Sequence, residues 1–460
     1  MYKLWRKNYH DNSKSAPEPS GAWPLIGHLH LLGGQVPLYR IFGGLADEYG
    51  PVFGLRLGMN KTQVVSSWET VKDCFTTNDK ILAKRPTSIA GTYLGYDYAS
   101  FGFTDSPYWR EVRKLALQEL LSSRRLETLK HVRESEIHTG IKELYKEHSG
   151  KVVDIDEWLD QITSNMIIMM IAGKRYTNGT QGTESTMEVQ SIRKHIKEFM
   201  YVLGQFIVAD AFPFPPFSWI DYQGHIKSMK RITKGLSTIF ERWINEHVTR
   251  GRQSSLRNEQ DFIDVMLSTV DDRASSSQQR HHFTPHDMAL MLTAKQQTSH
   301  AMSPRRAKHA IIKEALRLYP PGPLAAPHEA TEDCCVGGYH TPKGTRVMFN
   351  LWKLHRDPRM WEEPDNFVPE RFLTSHAEVD FTGQNYEFIP FGSGRRSCPG
   401  ITFAMQVAHL TLARLLQGFD LITQSNVPVD MTEGLRVNLP KATPLKVVIT
   451  PRVSSGLYQN

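Results

Sequence analysis

A mainly α-helical fold with small β-sheets is what this sequence predicts, and three observations predict it. Apolar residues recur at helical spacing around Tyr108–Leu121, Gly140–Glu147, Ile192–Val208, His225–Val248, Gln260–Thr269 and Ala404–Leu416. Alternating, β-branched stretches are confined to Pro51–Leu57, Thr62–Ser66 and Leu445–Thr450. Hydrophobic residues make up 40% and charged residues 22% of the 460, a balance that supports a sizeable core and excludes a disordered chain.

Taken in order, Met1–Tyr9 is polar and basic, and nowhere does an apolar run approach the roughly 18 residues that span a bilayer. Residues 1–15 therefore read as a basic stub without a membrane anchor, and residues 16–460 as a single domain. Ala16–Leu32 carries Pro17, Pro19 and Pro24, which force an extended lead-in. The two extended stretches that follow are separated by Gly58 and Asn60, the chemistry of a hairpin turn. Helical segments then dominate, with prolines in the connections. Between Asp271 and His282 the chain is polar and without period, which predicts a surface loop.

A formal charge of +7 and a pI near 9.0 suit nucleic acid, an anionic membrane surface or an acidic protein partner. The basic residues are scattered and no nucleic-acid-binding signature is present, so nucleic acid is excluded and a membrane surface stays open. The cysteines are Cys74, Cys334, Cys335 and Cys398; adjacent cysteines are poorly placed to bridge each other, and no disulfide framework is implied. In a reducing compartment a lone cysteine in a distinctive setting is a ligand or a nucleophile.

Cys398 has that setting. It stands in Phe391-Gly-Ser-Gly394-Arg-Arg396-Ser-Cys398-Pro-Gly400, just before the apolar helical run Ile401–Gln417. The glycines permit a tight loop and a close approach of backbone to a large flat ligand, and the start of a helix favours thiolate. A nucleophile assisted by His409 is the weaker reading, because eleven residues of helix place the two ~16 Å apart along the axis. The ten residues resemble, at every fixed position, the haem-binding loop of the cytochromes P-450. That resemblance implies haem b (iron protoporphyrin IX) with Cys398 as iron ligand, and Phe391, Gly394, Arg396 and Gly400 as the cradle around it. A thiolate ligand pushes electron density across the haem and favours O–O cleavage.

Further motifs extend the likeness from about Ala16 to Leu445. Glu314 and Arg317 lie three apart in a helical run closed by Tyr319-Pro320-Pro321, so they share a face. Pro369-Glu370-Arg371-Phe372 follows, and the resemblance implies that Glu314, Arg317 and Arg371 interlock as a buried structural network. Trp109-Arg110-x-x-Arg113 is similar to the family's helix whose Trp109 and Arg113 reach the haem propionates. His328 and Arg396 have the same implied duty, since buried carboxylates need cationic or hydrogen-bonding partners.

One segment departs from the family. Relatives carry a long central helix with an acid and a threonine that deliver protons for oxygen activation. Here only 29 positions separate Pro285 from Glu314, whereas a helix crossing a domain takes about 30 residues for ~45 Å. The central oxygen-activating helix and the helices after it therefore read as deleted near 294–311, where the chain is basic and interrupted by Pro304. Thr293 and Thr298 lack the acidic neighbour and the glycine pair, so no catalytic residue is assigned.

The nearest resemblance is to plant microsomal cytochromes P-450 of family 82. It implies a monooxygenase that hydroxylates or demethylates a lipophilic plant secondary metabolite with molecular oxygen. Electrons would come from an NADPH-dependent diflavin reductase, docked on a basic surface that includes Lys114 and Arg395. The cytosolic face of the endoplasmic reticulum membrane is the implied location. The pocket is expected along Ser88–Ser106, Gly322–Ala326 and Leu435–Leu439. A second expectation is a truncated or splice-variant protein that binds haem and is catalytically impaired.

Overall fold

The computed structural model describes residues 14–104, 107–175, 184–217, 221–251, 261–274, 305–424, 427–434, 439 and 441–458. The N-terminal third contains α1 (Leu38–Tyr49), β1 (Val52–Leu57), β2 (Asn60–Val65), α2 (Trp68–Phe75), α3 (Ile89–Tyr93), α4 (Pro107–Leu115), α5 (Ser123–Thr128) and α6 (Lys130–His148). Next come β3 (Val152–Asp154), α7 (Ile155–Ala172), α8 (Glu184–Leu203), α9 (Val208–Ala211), α10 (His225–Gly251) and α11 (Phe262–Ala274). The remainder holds α12 (Arg305–Leu318), β4 (His328–Glu329), β5 (Cys334–Val336), β6 (Tyr339–Thr341), β7 (Arg346–Phe349), α13 (Leu351–Leu354), α14 (Ile401–Gly418), β8 (Phe419–Thr423) and β9 (Lys446–Pro451). This is a mainly α fold with small sheets, as the periodicity predicts.

Local chemistry sets many of the boundaries. Ser67 caps α2 by accepting from the Thr70 N–H, Asp154 caps α7 by accepting from Glu157, and Gly173 ends α7 in the left-handed region. Two expectations need correction. The helix expected over Ile192–Val208 stops at Leu203, before Gly204, and a short turn of helix resumes at Val208. The stretch expected as a loop over Asp271–His282 is helical at its start, because α11 runs to Ala274 from an apolar anchor of Phe262, Ile263 and Met266. Residues 275–304, with Thr293, Thr298 and most of the expected gap, lie outside the described residues. From Arg305 the chain is helical.

The larger sheet has the order β1-β2-β7-β4, with β1 and β2 forming the expected hairpin, β7 parallel to β2 and β4 antiparallel to β7. A second antiparallel sheet runs β3-β9-β8, so the C-terminal strand ties α7 to α14. Ile168, Ile192, Met229, Phe240, Trp243 and Ile263 bury one core between α7, α8, α10 and α11. A second core packs Leu144, Trp158, Met166 and Ile449 against Val407 and Leu415 of α14. On its other side α14 meets α12, through Met405, Leu412 and Leu416 with Ala310, Ile312 and Leu316. The helix that follows Cys398 is thus clamped between two cores. Among the described residues no helix is long and apolar enough to cross a membrane.

Candidate active site

The loop before α14 is closed at its base by the Cys398 N–H, which donates to the Phe391 carbonyl over 2.9 Å. Gly392 and Gly394 sit at φ +71° and +62°, a backbone that residues with a Cβ rarely adopt. At Gly394 space forbids a side chain too, because a Cβ there would meet an oxygen of the Asp79 carboxylate. Gly400 leaves ordinary van der Waals room beside the Cys398 sulfur, 3.8 Å from where its Cβ would be. Burial pushes the Cys398 thiol up, while the Gly400 backbone N–H and the Arg113 charge pull it down; burial prevails. The helix start alone therefore does not make the free thiol acidic, and metal ligation would have to complete the deprotonation.

Around this loop the fold gathers the other expected site residues. Arg113, on α4, donates to the Ser397 carbonyl at 2.8 Å and to its hydroxyl at 3.3 Å. Arg396 donates to the carbonyls of Ala83 and Thr104, both at 2.7 Å, and its guanidinium lies 4.0 Å from the centre of the Trp109 ring. His328 is buried on β4, with Nδ1 donating to the Leu82 carbonyl at 2.5 Å. Arg85, not singled out from the sequence, joins them through bonds to the carbonyls of Ala326 and Pro327 at 2.7 and 2.8 Å.

The charge balance of this cluster points to an anion. Burial lowers the Arg113 guanidinium, and burial with the neighbouring Arg396 takes Arg85 down to about 9. Burial, then the Arg85 charge, holds His328 well below the usual imidazole range. The bonds of Arg85 and Arg113 go to backbone carbonyls and one serine, neutral acceptors that leave these two charges unbalanced. In addition the indole N–H of Trp109, a residue 7% exposed, is buried without a hydrogen-bond partner, as is Nε of Arg85. A pair of carboxylates presented by a flat ligand would satisfy both deficits. The donor set therefore fits haem.

Behind the loop, Glu314 and Arg317 on α12 are fully buried and joined by two bonds of 2.8 Å. Arg371 reaches the same carboxylate at 3.3 Å, and the Val368 N–H donates to it at 2.8 Å. Arg317 also donates to the carbonyls of His355, Pro364 and Asn366, and Arg371 to those of Glu362 and Glu363. These arginine bonds satisfy buried carbonyls that no regular ladder reaches. Of the expected docking residues, Lys114 is exposed on α4, whereas Arg395 pairs with Asp79 at 3.3 Å.

The expected pocket segments are only partly described. Ser88 caps α3, whose following loop docks on α10 through Tyr96 OH and the Ser237 hydroxyl at 2.9 Å, while Leu435–Asn438 lie outside the described residues. His409 does not approach Cys398 as a base would; its Nε2 meets His309 Nδ1 at 3.0 Å on the α12 side. Among the described residues one group could hold a further metal ion, His247, Asp261 and Asp264. Both ring nitrogens of that histidine are already engaged, one with the Trp243 carbonyl and one with Asp261, each at 2.7 Å.

A thiol in a glycine loop at a helix start, beside a buried cationic cluster and an indole N–H without a partner, is the site of a haem-thiolate protein. A cytochrome P-450 family model matches the chain over residues 17–304 and 295–447, and the chain belongs to this family of monooxygenases. Within it the chain is a plant-type member similar to family 82. Vinorine hydroxylase of Rauvolfia serpentina is 50% identical over 474 residues, taking in 100% of this chain and 96% of that protein. A xanthotoxin 5-hydroxylase of Arabidopsis thaliana is 45% identical over 505 residues, 99% of this chain and 96% of that one. A nicotine N-demethylase of Nicotiana tomentosiformis is 43% identical over 509 residues, 100% of this chain and 97% of that one.

Proposed function

We propose that residues 16–460 form one haem b-binding unit that hydroxylates or demethylates a lipophilic plant secondary metabolite. The observation that carries this is the conjunction of the Cys398 loop with the orphaned Trp109 N–H and its cationic neighbours. When bound, the haem supplies the chemistry of oxygen insertion. Cys398 Sγ would be its protein ligand, with the Gly400 N–H and the Arg113 charge supporting the negative sulfur. Trp109, Arg113, Arg396 and, once protonated at Nε2 beside the bound anion, His328 would hold the two propionates, and Arg85 adds a fifth donor on that side. The relatives named above act on vinorine, xanthotoxin and nicotine according to their names, which supports a small lipophilic substrate. Electrons would come from an NADPH-dependent diflavin reductase. The test is the reduced carbon monoxide spectrum: a thiolate-type Soret band is expected from the wild type, and its persistence in Cys398→Ser would overturn the assignment.

For location we propose the cytosolic face of the endoplasmic reticulum membrane, reached through a surface face. Trp23, Leu25, Met59, Phe214, Phe217 and Tyr222 are exposed, from 41% for Phe217 to 86% for Tyr222. Gly27 bridges to Leu57, and the Met59 N–H donates to the Ala211 carbonyl, so the lead-in, the hairpin tip and the segment after α9 meet on one side. Exposed apolar residues gathered on one side in this way support an interaction site. Replacing Phe214 and Phe217 together by serine should weaken binding to phospholipid vesicles, and undiminished binding would remove this face from the reading.

A specific observation favours the second reading, an impaired monooxygenase. The family match breaks into two segments that overlap at 295–304, inside the stretch where the sequence lacks the acid-threonine helix. The alignment to the nicotine N-demethylase is 509 positions long although it takes in all 460 residues of this chain, so the relative has residues without counterparts here.

A further inference from the structure

We infer that Asp79 is the positioning residue for the Cys398 loop, its carboxylate fixing the loop tip and through it the sulfur; this rests on Cys398 being the iron ligand. The base of the loop is closed by the Cys398–Phe391 bond, and its flank is held by Arg113 on Ser397. The tip, at Gly394 and Arg395, is held from outside by Asp79. One oxygen of that carboxylate accepts the Arg395 backbone N–H at 3.1 Å, and the other faces Arg395 Nε at 3.3 Å. Gly394 has no room for a Cβ because the same carboxylate fills the space.

The backbone bond matters more than the ion pair. The Arg395 side chain is 48% exposed, so solvent screens its charge, whereas the Asp79 side chain is 20% exposed. A bond from a backbone N–H to a carboxylate fixes main-chain position directly and is stronger than its neutral counterpart. Asp79 also sits at one end of a strap that touches the rest of the site. Within residues 79–85 the Leu82 carbonyl accepts from His328, the Ala83 carbonyl accepts from Arg396, and Arg85 holds the carbonyls before His328. Asp79 is the single acid of that strap. Phe75, from the end of α2, lies against Gly394 on one side and stacks edge-on to His328 on the other. Loosening Asp79 therefore frees the loop tip while leaving the remaining contacts of the strap in place.

The experiment uses the full-length, haem-loaded protein and follows conversion of the reduced carbon monoxide complex from the thiolate-type to the thiol-type band. Asp79→Ala should convert about tenfold faster than wild type, the ratio expected from loss of one hydrogen bond to a charged acceptor. Asp79→Asn keeps an acceptor oxygen for the Arg395 N–H and should recover most of the wild-type rate. Asp47→Ala removes an exposed pair with Lys353 elsewhere and should not alter it. Wild-type conversion in Asp79→Ala, with only total haem content reduced, would assign Asp79 a merely structural role and overturn the inference. If Asp79→Ala does not fold, Asp79→Glu serves. Its longer side chain cannot place the carboxylate in the same space, and conversion at the wild-type rate in that variant overturns the inference equally. A thiolate band in Cys398→Ser would instead sink the ligand assignment, which separates the two failures.

Discussion

At the scale of single residues, Glu314 carries the largest energetic consequence outside the haem loop. Its carboxylate is 0% exposed and accepts from Arg317, Arg371 and the Val368 N–H at once. Removing it leaves two guanidinium groups in the interior with only carbonyls as acceptors, and breaking a buried network in this way costs about 3–5 kcal/mol. Glu314→Ala should therefore lower thermal stability and haem content together, measured by thermal denaturation and by the haem-to-protein ratio. Full haem content with loss of turnover alone would contradict a structural role. Cys398, Glu314, Arg317 and Arg371 stand out in the sequence because each lies in a short motif that resembles the family's; the structure joins Glu314 to Arg317 within one helix and to Arg371 across 57 positions. Arg85 and Asp79 do not stand out. Their partners, Pro327 and Arg395, are hundreds of positions away, and neither Lys84-Arg85-Pro86 nor Asn78-Asp79-Lys80 has a spacing that marks a site.

Among the elements, α10 and α11 are joined by a buried histidine that makes their docking dependent on pH. His247 Nδ1 faces the Trp243 carbonyl and Nε2 faces Asp261, two acceptors that favour a proton on both nitrogens and so the imidazolium. Burial alone would lower its pKa, but the Asp261 bond and charge, the Trp243 carbonyl and the nearby Asp264 together raise it. Arg250 lies on the same side of α10 and acts on Asp264. A histidine with a raised folded-state pKa contributes stability that is fully present below its unfolded value of about 6.5 and is lost as pH rises through the raised value. The thermal midpoint should thus fall as the pH rises above about 6.5, and His247→Gln should flatten the profile; equal slopes in the two proteins would discard the clamp. The elements themselves were largely readable: the hairpin, α4, α10 and α14 follow hydrophobic period and turn chemistry. The errors fell at boundaries, at Gly204 and at Ala274, where capping and tertiary anchoring decide the last turn and period does not.

For the whole molecule the question is what a monooxygenase fold does with the central stretch this chain has. The mainly α architecture and its small sheets follow from composition and period, while the placing of α14 between two cores depends on contacts between segments remote in sequence. Those cores pack α14, and with it the Cys398 side of the site, through residues of α6, α7, α12 and β9. Proton transfer needs a donor placed within hydrogen-bond reach, and positioning accounts for much of such catalysis. The sequence from Thr293 to Lys313 offers no acid-threonine pair of the family's kind. Oxidation is therefore expected to be slow and poorly coupled, with reducing equivalents lost to peroxide, while peroxide supplied directly should bypass part of the defect. The measurement is substrate oxidised per NADPH consumed, compared between this chain and a version carrying a relative's full central helices between Ala294 and Ile311. Coupling should be several-fold higher in the grafted protein, in line with the 10²–10⁴-fold that a positioned acid or base contributes. Equal coupling would mean that another part of this chain delivers the proton, and Ser100, whose hydroxyl is buried without a hydrogen-bond partner, would be the first to test.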